Sequence, residues 1–188
     1  MAALAPQRLT ALVLAAAALA LCAPAGAMTT EEAYAAIPHR RTTFEAPASK
    51  LPADKSASLE RLFAYTDRGV VLRVQGMAAQ RNGDAREVRR VLEGYDALIT
   101  EVRGAPFAPE VVAARDQVAE ALALQRRFLA SRPAGLTFVR DQLASTPEVS
   151  QASGKLHGAY GVLMRAFPGE SQKHKQSFYD YLCALDFL

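Results

Sequence analysis

The sequence predicts an all-α protein: an up-and-down helical bundle of four to five main helices, preceded by a cleaved signal peptide and an extended N-terminal arm. Three observations lead there. Apolar residues recur at three- and four-residue steps in segment after segment, and no stretch alternates as a strand would. Glycine, proline and capping residues punctuate these segments. The connections between them are short, which sets successive helices antiparallel.

The first 27 residues read as an export signal. Arg8 supplies a positive start, residues 9–21 form an apolar run broken only by Thr10, and the small residues Ala25 and Ala27 close the segment. Cleavage is expected before Met28. The run is short for a membrane span of about 20 residues. Lipidation at Cys22 is the alternative, but Leu21 stands where a small residue is expected. The domain plan is therefore signal peptide 1–27, short helix and arm 28–53, and helical bundle 54–188.

Cleavage leaves 161 of the 188 residues, enough for one domain with a substantial core. It removes one basic residue, leaving 21 basic against 19 acidic side chains. That balance argues against a nucleic-acid partner. No second apolar run is long enough to anchor the mature chain stably in a membrane.

Residues 29–37 form a short helix, with Thr29 and Glu32 in capping-box spacing and Pro38 ending it. Residues 38–53, with Pro38, Pro47 and Pro52, read as an extended arm. The first long helix runs from about 54 to 81, its apolar face formed by Leu59, Leu62, Phe63, Thr66, Val70, Val74 and Met77. Asn82-Gly83 closes it, Gly83 taking the left-handed cap. Asp84 opens the second, whose stripe is Val88, Val91, Leu92, Tyr95, Leu98, Ile99 and Val102. The third starts at Pro109 and reaches about Ser131, with Val111, Val118, Leu122 and Leu129 in line. A short helix is expected within 137–145. Thr146-Pro147 then reads as cap and first position of a helix to about Phe167. A last helix runs from about Ser171.

This layout resembles the exported four-helix bundles of the cytochromes c-prime. The resemblance is one of architecture. The haem-attaching Cys-x-x-Cys-His is absent, so no cofactor is implied.

Polar residues on apolar stripes are the candidate ligand-binding groups: Arg73 on the first long helix, Arg115 and Gln125 on the third. A buried guanidinium needs a partner. Asp67 and Asp116 are near in sequence and offer internal ion pairs. The alternatives are an anionic small molecule held between helices and a snorkelling side chain.

Cys183 and the helix-flank glycines Gly154, Gly158 and Gly161 are the candidate interface residues. The odd thiol is either buried among large apolar groups or joined to another molecule, a homodimer included. Mid-helix glycine is offset when another backbone comes close, within the chain or from a second subunit. Gly69 and Gly76 pose the same question.

His174 lies between Lys173 and Lys175, where like charge disfavours protonation, and no histidine has a carboxylate at metal-ligand spacing. No catalytic motif or metal site is found. The expectation is an exported, soluble, non-catalytic binding or protein-interaction module. The alternative is a carrier or sensor of an anionic small molecule, and an enzyme without recognisable motif ranks last.

Overall fold

The computed structural model describes residues 28–133, 135 and 140–187. The expected signal peptide lies outside them. Among the described residues the chain forms seven α-helices: α1 (Thr30–Ala35), α2 (Ala53–Asn82), α3 (Ala85–Gly104), α4 (Pro109–Ala130), α5 (Arg140–Ala144), α6 (Pro147–Ala166) and α7 (Gln172–Leu185). A single 3-10 turn, Ala46–Ala48, lies in the arm.

Local chemistry accounts for several helix ends. Thr29 accepts from the Glu32 amide while Glu32 reaches back to the Thr29 amide at 2.7 Å, a reciprocal capping box. Gly83 sits at φ 70°, and the amide that follows it bonds back to Ala79, closing α2. Asp84 caps α3 by accepting from the Arg86 and Glu87 amides. Ser171 caps α7 by accepting from the His174 amide. Thr146 departs from expectation. Its backbone is extended as a cap's should be, but its hydroxyl donates back to Gln142 instead of capping α6. Residues 136–139, where the short fifth helix was expected to begin, lie outside the described part.

The long helices alternate in direction. α2 packs on α3, α3 on α4, and α4 on α6, and α7 fills the space between α6 and α2. α2 and α4 run parallel across the middle, with Gly69 beside Leu122 and Gly76 beside Leu129. A Cβ on Gly69 would lie 2.7 Å from Leu185 and 2.9 Å from Leu122; one on Gly76 would lie 2.7 Å from Leu129. Close approach was expected there, but leucine side chains, not another backbone, fill the space.

The core is continuous. Leu59, Leu62, Phe63 and Val70 of α2 meet Tyr95 and Leu98 of α3, Leu122 and Phe128 of α4, Leu163 of α6 and Phe178 and Leu185 of α7, all almost fully buried. The arm lies on its own bundle. Tyr34 and Phe44 are buried, and the Phe44 ring stands 5.5 Å from Phe63 and 4.7 Å from the imidazole of His174. No helix among the described residues is long and apolar enough to cross a membrane.

Candidate functional site

Asp186 and Phe187 follow the end of α7, and Phe187 lies against Arg73 of α2. Two buried polar side chains hold this end. Gln125 of α4 donates to the Leu185 carbonyl at 2.6 Å and accepts from the Tyr95 hydroxyl at 3.2 Å. Arg73 of α2 donates to the Asp186 carbonyl. A helix leaves its last carbonyls unpaired and negative, so an amide and a cation are suitable partners for them. Ser153 of α6 donates to the Asp186 carboxylate at 2.6 Å, tying the same turn to a third helix.

Arg73 also faces a cleft of about 260 Å³, open to solvent, where the arm passes α2. Its walls are Ile37 of the arm, Val74 and Met77 of α2, and Phe187, with Arg81 at the rim. The Arg73 guanidinium carbon lies 5.7 Å from the centre of the Phe187 ring, a cation–π distance. Arg73 is only 7 % exposed, and its Nε has no hydrogen-bond partner. Burial pulls its pKa below the usual arginine range, against the opposing pull of Tyr95 and Asp186.

The three candidate ligand residues therefore part company. Only Arg73 lines this cleft. Gln125 is fully buried and engaged at both ends of its amide. Arg115 lies by the α3–α4 connection, where it donates to the Arg103 carbonyl at 3.0 Å, stands 2.7 Å from Asp116 and covers Phe107. Asp116 thus serves as expected. Asp67 does not: Arg41 of the arm pairs with it, and the Tyr34 hydroxyl donates to it at 3.0 Å. The arm delivers these partners from 26 and 33 residues away, beyond any helical spacing.

The candidate interface residues also separate. Of the three α6 glycines, only Gly158 is tightly covered among the described residues, by Gln117 of α4. Nothing described comes near a Cβ on Gly154, and one on Gly161 would meet only Arg165 of its own helix. Cys183 is half-buried, its Sγ 3.5 Å from His39 Nδ1, in a shallow groove beside Tyr179.

His174 requires a correction. It is buried against the Glu170 carboxylate one turn earlier, while Lys173 pairs with Glu45 at 2.7 Å and Lys175 donates to the Pro168 carbonyl. Both lysines have partners of their own. The four-residue spacing of Glu170 and His174 is present in the sequence, but Glu170 precedes the helix, so helical periodicity does not pair them. No group of three or more His, Cys, Asp or Glu among the described residues has metal-binding geometry.

Fold and cleft together define an all-α bundle whose N-terminal arm forms one wall of a cationic, apolar-lined recess. The chain matches no family model, no curated protein and no solved structure.

Proposed function

We propose that the protein is an exported, non-catalytic binding protein whose cleft takes a small anionic molecule. The observation that carries this reading is Arg73. It is more than nine-tenths buried, spends its one hydrogen bond among the described residues on a backbone carbonyl, and borders a recess whose other inner walls are apolar. A buried cation is costly unless compensated. The negative end of α7 supplies part of that compensation. An anion in the cleft supplies more. Among the described residues the ionisable groups lining this cleft are arginines, which neither take nor release protons near neutral pH, and this supports binding over catalysis.

Native mass spectrometry of the protein recovered from its export compartment tests the reading. The expected species starts at Met28 and carries a removable, non-protein anion. A full-length chain retained inside the cell would end the export part. A bare mature chain that takes up no carboxylate or phosphate in titration would end the binding part.

A protein-interaction role has one observation in its favour. Tyr179 is 45 % exposed and lies one turn from Cys183. A dimer that dissociates with reductant, and fails to form with Cys183→Ser, would support it.

A further inference from the structure

The two arginines of the cleft stand at the ends of one ridge. Arg73, Met77 and Arg81 follow at four-residue steps on α2, so Arg73 and Arg81 are about 12 Å apart along the helix axis. Arg73 is buried at the inner end, beside the Phe187 ring. Arg81 is exposed at the outer end, in the last turn of α2. Val74, Met77 and Ile37 line the space between them. The order along the cleft is cation, apolar floor, cation.

Each part of that order selects against a simpler ligand. A small inorganic anion would leave the Met77 floor wet. A single-headed fatty acid would place either its tail or nothing beside Arg81. A short dicarboxylate is shorter than the roughly 12 Å rise that separates the two residues along α2. Exposed Arg81 can offer a full guanidinium fork to a carboxylate, whereas Arg73, its Nε buried and a Nη1 hydrogen given to the Asp186 carbonyl, offers its remaining Nη hydrogens.

Building on the anion-binding role proposed above, we infer that the cleft is shaped for a linear α,ω-dicarboxylate of medium chain length. One carboxylate meets Arg73, the methylenes lie over Val74 and Met77, and the second carboxylate meets Arg81.

Isothermal titration of the mature chain at low ionic strength with nonanedioate, nonanoate, butanedioate and inorganic phosphate tests this. Nonanedioate is expected to bind about fivefold more tightly than nonanoate, the size of one exposed ion pair. Butanedioate and phosphate are expected to bind more weakly than either. Arg81→Gln, a change at an exposed position, should abolish the advantage of nonanedioate over nonanoate. Arg73→Gln should weaken both, and Arg73→Lys should restore part of the loss. Equal binding of the two nine-carbon acids by the parent, or a preference that survives Arg81→Gln, would overturn the dicarboxylate inference and leave the anion-binding role standing. Binding of none of the four anions would overturn both.

Discussion

Gln125 shows how much a single buried polar side chain can organise. Its amide joins α3 and α4 to the end of α7 through Tyr95 and Leu185. Replacement by alanine would leave a buried hydroxyl and a buried carbonyl unpaired, which costs roughly 2–5 kcal/mol in all. Urea denaturation of Gln125→Ala should show a loss of that size. Two buried carboxyls respond to pH with opposite signs. Burial alone would raise the pKa of Glu170, but donation from His174, Ser49 and the Lys50 amide prevails and lowers it. A carboxyl lowered in the fold adds stability above its unfolded pKa, and that stability is lost as pH falls through the folded value. Asp67 is raised by burial, which Arg41 and Tyr34 offset only in part. Its contribution favours the fold below its unfolded pKa and is lost as pH rises through the folded value. On acidification from neutral pH, Glu170→Gln should therefore lose less stability than the parent, and Asp67→Asn should lose more. Urea midpoints measured across the carboxylate range will read both slopes.

At the scale of elements, glycine has different meanings in α2 and α6. On α2, Gly69 receives Leu122 and Leu185, and Gly76 receives Leu129. Large side chains of α4 and α7 seat in the gaps, so α2 lies close to both. On α6, Gly154 is exposed with open space around it. Helix propensity favours alanine over glycine by about 1 kcal/mol at either site. Between Gly69 and Gly154, packing reverses the sign only at Gly69, where an added methyl overpacks the core at a cost of about 1–3 kcal/mol. Gly154→Ala should raise the melting temperature and Gly69→Ala should lower it, as read by thermal unfolding followed by circular dichroism. Should Gly154→Ala lower it instead, that glycine face would have a partner outside the chain.

For the whole molecule, the arm is part of the fold. Three carboxylates of the bundle accept its donors: Asp67 from Arg41 and Tyr34, Asp180 from the Thr42 amide at 3.0 Å, and Glu170 from Ser49 and the Lys50 amide. Phe44 completes an aromatic cluster with Phe63, Phe178 and His174. The arm also provides Ile37 as a wall of the cleft, so its docking and the proposed ligand capture are linked. Truncating a buried phenylalanine costs about 3–5 kcal/mol. In Phe44→Ala that loss falls on the arm, and trypsin should cut at Arg40 and Arg41 rapidly, where the parent resists. Equal cleavage of the two would show that the arm is held by its polar contacts alone.

The helices were legible because their causes are local. Apolar spacing at 3.6 residues per turn, the Thr29–Glu32 box, Gly83 in the left-handed region and Pro109 and Pro147 in first turns are all read within a few residues. So was the presence of polar groups at Arg73, Arg115 and Gln125 on otherwise apolar faces. What each of those groups does was decided by packing. Gln125 meets a carbonyl 60 residues away and Arg73 one 113 residues away. Asp67 serves the arm, 26 residues before it, and not the neighbouring arginine of its own helix. Periodicity places a side chain on a face of its helix. Which group stands opposite depends on how the helices and the arm pack together, and that is a property of the tertiary structure.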